Sequence, residues 1–158
     1  MADEDKLTLE KWHKKMAVDL FNYTWTLIDK KKRTKAEDDE MVNASHASRY
    51  HWSVRVANNW DATPINLGRG DWQLSRVYAI LGNGERAVYY GKTYLEICKK
   101  EGIKDWDLAY AYEAIARGYA VAADEKNKTK YLKLAEQATE AVKDQQSKDM
   151  LYADLKTI

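Results

Sequence analysis

The stretch from Asp71 to Gly102, DWQLSRVYAILGNGERAVYYGKTYLEICKKEG, constrains the fold more than any other part of the chain, because it holds two amphipathic helical runs split by one tight break. In the first run Trp72, Leu74, Val77, Tyr78 and Leu81 recur at three- and four-residue steps, which gathers them on one broad face of a helix. Gly82-Asn83-Gly84 ends that run. In the second, Ala87, Tyr90, Gly91, Tyr94, Leu95 and Cys98 repeat the pattern. Lys99 and Lys100 then suit the negative end of a helix, and Gly102 stops it. Two helices joined by so short a break lie antiparallel, so the unit reads as a helical hairpin.

A chain of 158 residues is long enough for one domain with its own core and too short for two ordinary ones. Six Trp and eleven Tyr stand against a single Phe, so much of the bulky apolar surface carries a polar atom that must reach water or a partner. That favours thin helical layers over a thick core. Basic and acidic residues nearly balance, 26 against 25, which leaves no global field to draw in nucleic acid or an anionic membrane. No apolar run approaches the roughly 20 residues that span a bilayer, and MADEDKLTLEKW lacks the basic start and apolar segment of a secretory signal. A cytoplasmic protein is expected. The lone Cys98 excludes an internal disulfide framework and reads as a small buried hydrophobe.

Taken in order, residues 1–6 read as a flexible tail. Thr8 can cap helix 1, whose stripe runs Leu9, Trp12, Met16, Leu20, Tyr23 and Leu27, widened by Trp25 and Ile28. The basic run from Lys30 to Lys35 reads as a solvated helix end. Thr34-Lys35-Ala36-Glu37 is a capping box, placing helix 2 from Lys35 to about Ala57 and the first hairpin over 7–57. After NNWDAT, Thr63-Pro64 opens helix 3, and a second hairpin fills 64–101. Asp105 and Asp124 can cap helices 5 and 6 of a third hairpin over 105–143, and Ser147 a short terminal helix over 147–158. The fold class expected is all-α: six main helices plus a short C-terminal capping helix. Gly91 and Gly118 should mark close helix crossings.

The Asp71–Gly102 hairpin resembles a tetratricopeptide (TPR) repeat. Leu74, Tyr78, Gly82 and Ala87 fall where that family has its leucine, tyrosine, inter-helix glycine and second-helix alanine. Trp72 stands one place past the usual tryptophan, and Ser75 replaces a small glycine. A second copy runs through Tyr112, Ile115, Ala116, Tyr119, Ala123 and Ala135, with Lys128 where alanine is usual. Tyr78 and Tyr119 are 41 positions apart, longer than the usual period of about 34. The whole chain, with HASRYHW at His46 to Trp52 and ADLKTI at its end, also resembles a group of uncharacterised bacterial TPR-like proteins. The resemblance implies antiparallel hairpins stacked as a short right-handed solenoid, and a binding scaffold whose first helices line an inner groove.

By that alignment the exposed groove positions are Arg69, Trp72 and Arg76 in one repeat and Tyr110, Glu113 and Arg117 in the next. Each triplet has i, i+3, i+7 spacing and so forms one stripe on its helix. Arginine forks suit carboxylate or phosphate and aromatic rings give flat walls, so the matching partner is a protein or peptide segment, acidic in character, or a small organic anion. The alternative is a structural network in which Glu113 pairs with Arg117 and with Arg76 across the groove.

His46, Arg49, Tyr50 and Ser53 share a second face, placed as closing one end of the groove, while His51 points elsewhere. That face lacks the i, i+4 histidine pair of a helical zinc site, although Asn43 and Asp39 lie beside His46 and His13 could approach. A histidine hydrogen-bonded between helices is the other reading. No nucleophile with an adjacent base, glycine-rich phosphate loop or catalytic carboxylate pair stands out, so neither catalytic residues nor a cofactor are expected. Three functions remain open: a peptide-binding scaffold, a small-ligand or metal-binding enzyme using His46 and Arg49, and a self-associating domain, for which the many Trp and Tyr residues suggest a homodimer.

Overall fold

The computed structural model describes residues 7–158, so the expectation of a flexible tail at 1–6 lies outside the described residues. The described chain is all-α, with no strand. Its helices are α1 (Leu9–Ile28), α2 (Lys35–Ala57), α3 (Pro64–Ile80), α4 (Gly84–Lys100), α5 (Asp105–Val121), α6 (Glu125–Glu140) and α7 (Gln145–Leu155). None is long and apolar enough to cross a membrane.

Local chemistry sets most of these limits. The Thr8 hydroxyl accepts from the Lys11 N–H, and Thr34 with Glu37 closes the capping box that starts α2. Asn83 caps α4 through the Arg86 N–H at 3.0 Å, and Asp124 caps α6 through that of Asn127. Arg33, in the basic run, donates to the Leu27 and Lys30 carbonyls and pairs with Asp38, so this cation secures the end of α1. Buried Arg55 does the same for the NNWDAT connection, donating to the carbonyls of Trp60 and Asp61.

Thr63 is the residue ahead of α3 and Pro64 its first, as expected, and the Asn66 side chain accepts from the Thr63 N–H at 2.9 Å. Two expectations are corrected. The last helix begins at Gln145 because Asp144 caps it, accepting the N–H of Ser147, which is therefore inside the first turn. Asp105 lies within α5 at φ +61°, where its carboxylate accepts the Trp106 N–H at 2.9 Å and the Lys143 N–H at 3.4 Å. That second bond ties the start of α5 to the segment ahead of α7.

Each helix packs on the next, and the odd-numbered ones also touch in the order α1, α3, α5, α7. The tightest crossing joins α4 and α5. A Cβ on Gly91 would stand 2.9 Å from Ile115, and one on Gly118 2.7 Å from the Val88 backbone nitrogen. Backbones approach there because both helices present small residues, with Ala87, Ala111, Ala114 and Ala116 all buried. Gly68 and Gly70 serve differently: side chains, those of Tyr94 and Arg49, occupy the space a Cβ would need.

The core divides. Tyr94, Leu95, Cys98, Ala109, Tyr110, Ala111, Ile115, Val142 and Leu151 form the larger cluster, and Leu27, Met41 and Val77 a smaller one under α1 and α2. Polar side chains tie the thin layers together: the Ser48 hydroxyl donates to the Ala17 carbonyl at 2.8 Å, Ser75 to Ala87 at 2.7 Å, and the Gln73 amide to Phe21 at 2.9 Å. Cys98 is buried as expected, and burial first, then the Asp107 charge, pushes its thiol up to about 12.

Candidate functional site

Helix α3 has two chemically distinct faces. Arg69, Trp72 and Arg76 point to one side and Asp71, Leu74 and Tyr78 to the other, each set at three- and four-residue steps. On the first side the parallel neighbour α5 brings Asp107 to Arg69, Tyr110 to Trp72 and Glu113 to Arg76. The two expected stripes therefore lie side by side.

Their arginines, however, already have carboxylate partners. Arg69 makes a fork to Asp107 with both bonds at 3.1 Å and stacks over the Trp106 ring. Asp107, 5% exposed, also accepts from the Tyr94 hydroxyl at 2.5 Å, and burial with that adjoining charge drives the phenol far above its ordinary range. Glu113, 1% exposed, receives the Arg117 Nε at 2.7 Å and faces Arg76 at 3.9 Å. Arg117 also donates to the Asp154 carbonyl and the Thr157 hydroxyl, so it caps the end of α7. Arg76 reaches the Asp154 carboxylate at 3.3 Å, which Tyr110 contacts through its hydroxyl at 3.1 Å. The geometry is that of the ion-pair network weighed as the alternative to a ligand stripe.

What remains open on this side is a cleft of about 520 Å³. Trp25 and Ile28 of α1, Trp72, Arg76 and Ile80 of α3, Tyr110 of α5, and Met150 and Asp154 of α7 line it with Asp29. Trp25, Trp72 and Tyr110 make a continuous aromatic floor, with successive ring centres 5.3 and 4.9 Å apart. Trp72 Nε1 is buried with no hydrogen-bond acceptor among the described residues. Reading the sequence alone missed Trp25, Met150 and Asp154: the first falls on the apolar stripe of α1, and the other two belong to a segment that reads only as a cap.

His46 and Arg49 do not close this cleft. They project from α2 toward the opposite side of α3, because their partners, Tyr78 and Asp71, are on that side. His46 Nε2 is 2.8 Å from the Tyr78 hydroxyl, and Arg49 Nε donates to fully buried Asp71 at 2.9 Å. Burial raises the Asp71 carboxyl while Arg49 pulls it down, and burial, then Arg86 and Arg49, lowers His46. His13 does not approach His46; its Nδ1 lies 2.9 Å from Nδ1 of His51. Among the described residues no three His, Cys, Asp or Glu side chains converge as a metal site would require. Comparison of the chain with family models, with curated proteins and with solved structures finds no match.

Proposed function

We propose that this chain is a non-enzymatic TPR-like scaffold, its hairpins stacked as a short right-handed solenoid, which holds a segment of a partner protein in the cleft between α1, α3, α5 and α7. The observation that carries the reading is the aromatic floor of Trp25, Trp72 and Tyr110, left open to the cleft beside Arg76. Trp72 also holds a buried Nε1–H with no acceptor among the described residues, a donor that a ligand carbonyl or carboxylate satisfies once the side chains covering it shift. The chemistry of the segment follows from α7, which sets Met150 and Asp154, four residues apart, against the aromatic floor and Arg76. A partner helix with a bulky apolar residue and an acidic one at that spacing matches the same surface.

Selection of displayed peptides on the intact chain, followed by fluorescence polarisation, tests this. Enriched sequences should pair an apolar with an acidic residue. Trp72→Phe, which keeps a ring and deletes the donor, should weaken their binding by about threefold to tenfold, the factor for one neutral hydrogen bond. Asp154→Asn should tighten it, since the internal carboxylate competes for Arg76. Enriched peptides that bind both variants as they bind the wild type would overturn the reading.

Self-association is a second reading, favoured by Leu9 at 65%, Trp12 at 44% and Tyr23 at 38% exposure on terminal helix α1. Light scattering over a wide concentration range checks it, with a constant monomer mass as the contrary result.

A further inference from the structure

The other side of α3 carries a second pocket, of about 330 Å³, bounded by α2 and α4. Its floor is Asp71 and Leu74, one wall holds His46, Arg49 and Tyr50, and the facing wall holds Tyr89 and Tyr90. Two features separate it from an ordinary crevice between helices. Tyr50 and Tyr89 are 60% and 61% exposed, yet they come from different helices and both line this space. Large aromatic surface left open inside one concavity is apolar area that a flat ligand covers. The second feature is charge. Arg49 is 31% exposed and engages Asp71 through Nε at 2.9 Å, with Nη2 only at 3.5 Å, which leaves Nη1 without a partner among the described residues. Exposed Arg86 lines the adjoining cavity, which meets this pocket at their shared residue Tyr89; its guanidinium lies 5.7 Å over the Tyr78 ring and beside the Tyr90 hydroxyl, and it forms no ion pair with a described residue.

We infer that this pocket binds a small planar aromatic anion, the ring lying against Tyr50 and Tyr89 and the oxyanion meeting Arg49 and Arg86. The floor explains why the anionic group stays at the rim: Asp71 is a buried carboxylate that repels a second one, while the guanidinium it anchors faces outward. His46 completes the wall from the same helical stripe, its Nε2 engaged with the Tyr78 hydroxyl and its ring edge-on to Tyr90. The pocket shares no lining residue with the cleft across α3 and stands independently of the peptide-binding reading.

Titration calorimetry on the full chain with phenyl phosphate and, separately, benzoate tests the inference, with inorganic phosphate and benzyl alcohol as probes of charge and ring alone. At least one aromatic anion should bind, and each single-feature probe should be weaker by about tenfold or more, the loss expected when a charge-assisted hydrogen bond or a ring contact is absent. Arg86→Gln should weaken the aromatic anion by about tenfold and Tyr89→Ala by about threefold to tenfold. Both side chains are exposed, so the variants retain the fold, which circular dichroism verifies. Lys133→Gln, exposed on α6 and far from this pocket, should leave binding unchanged. Failure of both aromatic anions to bind, equal binding of inorganic phosphate, or indifference to Arg86→Gln and Tyr89→Ala overturns the assignment.

Discussion

The two sides of α3 present the same kinds of residue in opposite states. Toward α5, Arg69, Arg76 and Arg117 meet Asp107, Glu113 and Asp154, and the unsatisfied group is an indole N–H. Toward α2 and α4, buried Asp71 engages one arginine, while Arg86 and two exposed tyrosines keep their binding capacity. An arginine that completes an internal fork organises the fold, and one that lacks it is available to a ligand. Residue type does not distinguish the two cases; the partner does. On the α5 side those partners lie far along the chain, Asp107 38 positions beyond Arg69 and Asp154 44 beyond Tyr110.

Glu113→Ala should break the contrast most severely. It strips a buried carboxylate from Arg117 and Arg76 and should cost about 3 to 5 kcal/mol in urea unfolding. A loss below about 1 kcal/mol would assign Glu113 to ligand contact instead of structure. Gly118→Ala comes next, because its new Cβ meets Val88 backbone nitrogen at 2.7 Å in the crossing that joins both sides. The expected cost is about 1 to 3 kcal/mol, with weaker binding on both sides; an unchanged melting transition would contradict so close an approach.

The histidines give a smaller effect whose sign is fixed. Burial, aided by Arg86 and Arg49, depresses His46, and burial with His13 depresses His51. A depressed folded pKa means the unfolded chain takes up protons first, so stability is full above the ordinary value of about 6.5 and falls as pH drops below it. Melting temperature should decline from about pH 7 to about pH 5, and the His46→Gln/His51→Gln double variant should lose much of that slope. Arg86→Gln should be smallest of all, within about 0.5 kcal/mol, since it removes no ion pair with a described residue. A larger loss would place Arg86 with the structural arginines.

Features decided within one helical turn were readable from the chain. The capping box at Thr34 and Glu37, the caps at Thr8 and Asp124, and the start of α3 at Pro64 depend on close neighbours in the chain. The start of α7 was not, because Asp144 and Ser147 are both competent caps and only the backbone path selects Asp144. The spacing of Arg69, Trp72 and Arg76, and of Tyr110, Glu113 and Arg117, put each triplet on one face, while the meeting of the two faces was implied by the resemblance to stacked repeats. The pairing of Glu113 with Arg117 and Arg76 was open to the same reading. The part of Asp154 was not, because it reaches the stripe only after α7 folds back onto α5. The face to which His46 and Arg49 belong was likewise hidden, since it depends on Tyr78 and Asp71 turning away from the cleft.

The orphan donor offers the most direct test. In nitrogen-15 spectra the Trp72 indole N–H is assigned by its loss in Trp72→Phe, and a selected cleft-binding peptide is titrated into the wild type. Hydrogen bonding to the peptide moves that resonance downfield, in step with the binding measured by polarisation. A saturating peptide that leaves Trp72 in place while shifting another indole, such as exposed Trp12 on α1, would contradict the account.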